Sequence, residues 1–405
     1  MSQDVDPYGL LTSEALQDPY PVYARLRAEA PVYFSPALQC WLLTRYQDVL
    51  AAFRDPRLSS RLTSSYGRLL PPELLARLAP LLRNLASWVI FTDKPEHTRL
   101  RGLINKAFTP RMTEQLRPRI QALVDELLDA VEPAGRMDVI ADLANPLPVI
   151  VIGEMMGLPR EDRQRLKSWS DMLVGFLGSP IQTPEMFEEA VRGITSMEDY
   201  LRQVIAERRK RPGEDLISQL LAAEEQGGIL EEQEILSTCS LVLFGGHETT
   251  TNLIGNAVNA LLEHPDQLEA LQREPGAVGS AVEEVLRFDS PVQRQIRLAA
   301  EDLEVGGQRI SKGQTMVLMI GSANRDAAQF SEPDRLDILR KENRHLTFGM
   351  GAHFCVGASL GRLEAQLALG TLMRRFPGLK RAEGTPDRMV NLSLRGFTSL
   401  PVQLG

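Results

Sequence analysis

The amino-acid sequence predicts a mainly α-helical protein with small β-sheets, folded as a single domain over residues 1–405. Three observations lead there. Apolar residues recur at helical spacing over long stretches. One stretch, Glu234 to Leu262, reads as a single uninterrupted helix. Strand-like segments are few and short.

The elements follow in chain order. Gln39 to Leu43 is a short apolar strand candidate. From Thr113 to Glu132, Leu116, Ile120, Leu123, Val124, Leu127, Leu128 and Val131 form an amphipathic stripe, with Pro118 tolerated only near its start. The basic run Arg208–Arg211 closes a helix before Pro212, where cations suit the helix dipole, and so does not read as a nucleic-acid patch. Glu234 to Leu262 is apolar nearly all round at Leu241 to Phe244, which predicts a buried helix. Asp266 to Phe288 reads as two helices broken at Pro275-Gly276. Leu303 to Ile310 carries Gly306-Gly307 at its centre, a two-residue hairpin signal. Thr315 to Ile320 is a strand, Val356 to Phe376 a helix, and Met389 to Leu404 a strand region.

Composition narrows the class. Hydrophobic residues at 43% and charged residues at 24% are ordinary for a globular chain and sufficient for a large core. A net charge of −8 argues against bulk nucleic-acid binding. Three cysteines, Cys40, Cys239 and Cys355, do not make a disulfide framework and point to a reducing cytoplasm. The N-terminal residues lack a basic start and an apolar run, so neither a secretory signal nor a membrane anchor is expected.

Chemistry concentrates around Cys355. Gly349, Gly351 and Gly357 let the backbone turn tightly and aim amides at the sulfur, and the helix expected from Val356 adds its positive end. Such a loop is built to hold a thiolate. A nucleophile would need a base and an orienting group; His353 is near, but nothing completes a triad. A zinc site would need about four ligands, and Cys40 and Cys239 offer no paired spacing. A buried inert cysteine is the remaining ordinary reading.

Phe348-Gly349-x-Gly351-x-His353-x-Cys355-x-Gly357 resembles the haem-binding loop of the cytochrome P-450 family. The resemblance implies that family's fold and a haem b (iron protoporphyrin IX) cofactor. Cys355 is then the proximal thiolate ligand of the iron, with Phe348 shielding the sulfur. Other stretches agree in order. Phe244-Gly245-Gly246-His247-Glu248-Thr249 resembles the family's oxygen-binding stretch, where Thr249 hydrogen-bonds bound oxygen and Glu248 relays protons; His247 is given no role. Glu284-x-x-Arg287 resembles the family's structural Glu-x-x-Arg, with Arg335 expected to complete it. His97, Arg101, Arg297 and His353 are assigned to the haem propionates, Arg294 lying close to Arg297. Two departures touch no mechanism: Gly361 stands where alanine is usual, and Lys94 where a second proline is common.

The resemblance implies a monooxygenase that hydroxylates or epoxidises a hydrophobic small molecule, as in secondary metabolism. Macrolides, terpenoids, steroids and fatty acids are candidate substrates. Phe244, Val292 and Leu394 match substrate-facing positions, Tyr66 to Ile90 the pocket roof, and Asp171 to Gln182 a lid. Electrons are expected from a separate ferredoxin or flavodoxin with its reductase, met by a basic face that includes Arg99, Arg101 and Arg362. A cytoplasmic monomer is expected. Two alternatives remain: a peroxide-dependent haem peroxygenase, against which Glu248-Thr249 argues, and a haem-binding sensor without turnover.

Overall fold

Residues 6–64, 70–179, 183–225, 231–384 and 386–405 are described by a computed structural model, which is mainly helical with small sheets. The start of the expected roof, 66–69, and the end of the expected lid, 180–182, lie outside the described residues. The chain divides into two compact units. One comprises residues 1–58, 118–145 and 249–405; the other comprises residues 59–117 and 146–248.

In the first unit, alternation organises the main sheet. Strands Val32–Ser35, Cys40–Leu43, Thr315–Leu318 and Gln295–Ala299 lie side by side in that order. Successive strand side chains point to opposite faces. Leu43, Met316 and Leu318 therefore join one core with Val49, Phe53 and Phe330. Leu42 and Val317 join another with Tyr20, Tyr23 and Leu26. Each such buried side chain contributes roughly 1.5–3 kcal/mol. Helix Tyr46–Arg54 supplies Tyr46, Val49, Leu50 and Phe53, the i, i+3, i+4, i+7 stripe of an amphipathic helix.

The hairpin expected at Gly306-Gly307 is present. Leu303–Val305 pairs antiparallel with Gln308–Ile310, and both glycines take positive φ, 55° and 76°. The C-terminal strand region is shorter than expected. Asn391 Oδ1 accepts from the Ser393 and Leu394 amides, an Asx turn that interrupts it. Only Phe397–Ser399 and Pro401–Gln403 are extended ladders. Pro401–Gln403 runs between Arg136–Asp138 and Lys380–Arg381.

In the second unit, helix Arg163–Gly178 packs on helix Pro184–Lys210. Gly193 permits the approach: a β-carbon there would stand 3.0 Å from Met172 Cβ. The basic run ends the latter helix as expected, Arg208 donating to Asp215 and to the Gly157 carbonyl, each at 2.6 Å. Helix Glu232–Glu263, 32 residues long, starts in the second unit and ends in the first.

Candidate functional site

Cys355 sits where the sequence reading put it, on a glycine-framed loop of the first unit. Gly349 and Gly351 take φ of 68° and 70°, a region that side chains with a β-carbon rarely adopt. The Cys355 amide donates to the Phe348 carbonyl at 2.9 Å and closes the loop. The following helix opens at Ala358, not Val356, because Gly357 forms its N-cap after one more turn. The loop is pinned from below. Asn324 accepts from the Leu346 amide and donates to Thr347 Oγ1, at 2.8 and 2.9 Å. On the other side, Arg362 stacks 4.4 Å from the Phe348 ring centroid while its guanidinium is held by Glu283. Burial pushes the Glu283 carboxyl up, but Arg362 and then His345 outweigh it and hold it down to about 2.

Cys355 itself is exposed, and neighbouring Phe354 is 36% exposed. Cys40 and Cys239 are buried, and burial pushes their thiols up to about 11 and about 12. Of the three sulfurs, only Cys355 is accessible and framed for ligation.

The remaining expected residues of the first unit lie as follows. His353 is half-buried in the loop. Arg297 is buried, 5.9 Å from the ring centroid of Phe53, whose ring and carbonyl border Gly349 and Gly351. Arg294 is turned to Ser393 Oγ, at 3.1 Å. Val292 and Leu394 pair as an isolated antiparallel bridge. Thr249 is half-buried.

One expectation needs correction. Arg335 does not complete the Glu284–Arg287 pair: its exposed guanidinium reaches Glu332, and only its carbonyl meets Arg287. Arg340 takes that place, its Nε lying 3.2 and 3.1 Å from the two Glu284 oxygens. Sequence reasoning also missed Glu364, buried beside Thr250, where burial pushes its pKa well above the usual range. Gly361, the departure from the family's alanine, lies next to the same threonine: a β-carbon there would stand 3.4 Å from Thr250 Oγ1.

In the second unit, His97 and Arg101 lie four residues apart on helix Glu96–Ala107, His97 buried and Arg101 donating to Asn105. Arg99 and Arg362, expected on a basic face, each have their charge matched by a carboxylate, Glu234 and Glu283 respectively. Phe244 tilts against Trp88 at 5.2 Å. Gly245 is exposed although Leu241, Val242 and Leu243 before it are buried. A β-carbon at Gly245 would meet Leu241 Cδ1 at 3.9 Å, so the helix leaves room there.

Glu248 is buried, with His247 Nε2 3.0 Å from its Oε1. Burial pushes the Glu248 carboxyl up, but His247 foremost, then Lys167 and Asp171, outweigh it and hold it below the usual range. His247, given no role from sequence, is thus its immediate partner. Its position next to Glu248 in the chain was the available signal.

These residues fit haem on the chemistry of the donors. An accessible sulfur on a loop of positive-φ glycines suits a soft iron ligand. Within the first unit, the buried Arg297 guanidinium suits a carboxylate.

Comparison with known proteins agrees. The family description Cytochrome P450 matches residues 79–403. Cytochrome P450 CYP107DY1 of Priestia megaterium is 42% identical over 369 residues, 89% of this chain and 89% of that one. The vitamin D(3) 25-hydroxylase of Pseudonocardia autotrophica is 41% identical over 406 residues, 99% of this chain and 97% of that one. The crystal structure of P450BioI in complex with hexadec-9Z-enoic acid ligated acyl carrier protein aligns with a TM-score of 0.91 at 39% identity, covering 97% of this chain and 100% of that one. Among the described residues, no helix is long and apolar enough to cross a membrane.

Proposed function

This chain belongs to the cytochrome P450 family of haem-dependent monooxygenases, and from that premise we propose that it inserts one oxygen atom of dioxygen into a hydrophobic small molecule. The reading treats residues 1–405 as one catalytic domain, monomeric and cytoplasmic. Electrons come from a separate ferredoxin or flavodoxin and its reductase. The observation that carries it is the accessible Cys355 sulfur on its glycine-framed loop.

Each residue then has a task. Cys355 would ligate the iron, Phe348 with Arg362 behind it would cover the sulfur, and Gly357 would leave space beside it. His97, Arg101, Arg297 and His353 would hold the propionates. Bound haem supplies the redox chemistry of dioxygen activation. The chain's own residues supply the rest. Gly245 keeps the helix face open. The Thr249 hydroxyl offers a hydrogen bond on that face, and the Glu248 carboxyl moves protons toward it. Phe244, Val292 and Leu394 would exclude water and orient an apolar substrate. The substrate classes favoured are steroid-like compounds of the vitamin D3 kind and fatty-acyl compounds, after the printed names of the hydroxylase and of the acyl-carrier-protein complex above. Glu248 and its histidine partner weigh against exclusively peroxide-driven use, which needs no proton relay.

The test is spectroscopic. Dithionite-reduced protein under carbon monoxide should show the red-shifted haem band of a thiolate ligand, and Cys355→Ser should lose it. A globin-like band in the unmodified protein would overturn the ligand assignment. Adding vitamin D3 or a C16 fatty acid to oxidised protein should shift the band if the substrate class is right.

A further inference from the structure

An exposed acid and a buried acid meet within the second unit. Asp171 lies on helix Arg163–Gly178, and about half of its side chain meets solvent. Glu248 lies on helix Glu232–Glu263, with a side chain only 9% exposed. Oxygens of these two carboxyls and a ring nitrogen of His247 all lie within 4.8 Å of one another. A direct hydrogen bond or one water closes such a span. Lys167 Nζ sits 2.5 Å from Asp171 Oδ2 on the solvent side. Lys167 and His247 are the charged or titratable groups that bear on both carboxyls, among the described residues.

We propose that Asp171 is the solvent-side proton store that supplies Glu248, and that His247 is the positioning residue that holds the Glu248 carboxyl to receive the proton. This rests on the reading of Glu248 as a proton carrier and extends it to the surface. The transfer is a proton step alone. Solvent protonates the Asp171 carboxylate. The Asp171 O–H bond breaks as an O–H bond forms on Glu248, and Asp171 is left anionic beside Lys167. No electrons move.

Electrostatics match this order. Partial burial pushes the Asp171 carboxyl up, Lys167 opposing the rise and Glu248 adding to it, whereas Glu248 is held low. Of the two carboxyls, Asp171 therefore holds a proton more readily than Glu248 does. His247 Nε2, 3.0 Å from Glu248 Oε1, is placed to hold that carboxyl in position. A divalent cation is a poorer occupant of the cluster, because the Lys167 ammonium already holds Asp171.

The test reads the carboxyls directly. Infrared titration of the haem-loaded protein, with bands assigned through Asp171→Asn and Glu248→Gln, should show Asp171 titrating above the ordinary aspartate range. Glu248→Gln should move that titration down, and His247→Gln should move the Glu248 titration up. Asp171→Asn should also slow dioxygen uptake, driven by a surrogate ferredoxin and reductase, roughly tenfold, and enlarge its solvent deuterium effect. Asp171→Glu should restore both. An ordinary Asp171 titration that ignores Glu248→Gln, with unchanged uptake in Asp171→Asn, overturns the proposal. The two readings separate cleanly. If Glu248→Gln takes up dioxygen at the normal rate, the carrier role of Glu248 fails. If Glu248→Gln is slow and Asp171→Asn is normal, only the surface store fails.

Discussion

Arg340 shows how much one side chain decides. Glu284 and Arg287 are both fully buried, and a buried pair is tolerable only when its remaining hydrogen-bonding capacity is met. Glu284 Oε1 accepts from the Asp337 amide, Oε2 from Asn343, and both oxygens face Arg340. Arg287 donates onward to the carbonyls of Asn324, Pro333 and Arg335. Arg340→Ala should therefore cost about 1–3 kcal/mol by leaving a buried carboxylate short of a partner. Arg335→Ala, which removes only an exposed pair, should stay within about 0.5 kcal/mol. Denaturant melts of the two variants compare them directly. The Glu-x-x-Arg spacing was legible because three residues is a helical interval. The third partner was not, because it lies in irregular backbone, where sequence spacing fixes no direction.

At the scale of elements, two adjacent glycines in the 232–263 helix have opposite reasons to exist. A β-carbon on Gly246 would lie 2.6 Å from Ile152 Cδ1 and 2.7 Å from Cγ1, so this glycine answers to packing. Gly246→Ala should destabilise by about 1–3 kcal/mol, partly offset by alanine's better helix propensity. Gly245→Ala meets no such contact, and its thermal midpoint should hold or rise by up to about 1 kcal/mol equivalent. It should nevertheless retain less haem, since the space it fills is the space the proposed site requires. Midpoints and haem content, read on the same samples, separate packing from function. The long helix, the Gly-Gly hairpin and the cysteine loop could all be read from the sequence, because periodicity and glycine placement are local signals. Asp171 could be read only as part of a lid. Its meeting with Glu248 joins two residues 77 positions apart in the chain, which no local pattern encodes. The break at Asn391 was missed because one side chain's bonds to two nearby amides outweighed the apolar residues around it.

For the molecule as a whole, acid should act on the first unit through its buried carboxylates. Burial pushes Asp289 up, but Arg395 foremost, then Arg388 and Arg325, hold it down to about 2. Glu283 is held at about 2 in the same way. A depressed carboxylate contributes stability above its unfolded value, near 4, and loses that contribution as pH falls through its folded value. Thermal midpoints should thus fall between about pH 4 and about pH 2, and Asp289→Asn should show a lower midpoint at neutral pH with a flatter acid limb. A fall that begins well above pH 4 would point to other groups. Pro401–Gln403 sets a further condition on the same unit, this one in time. It is the middle strand of its sheet, and its partner Arg136–Asp138 is translated about 260 residues sooner. At ribosomal speeds of roughly 5–20 residues per second, that partner waits on the order of 15–50 seconds for its ladder. Through that interval an edge with unspent backbone donors faces the cell, so the moment of greatest vulnerability to chaperone capture or misassembly belongs to the nascent chain rather than to the finished enzyme.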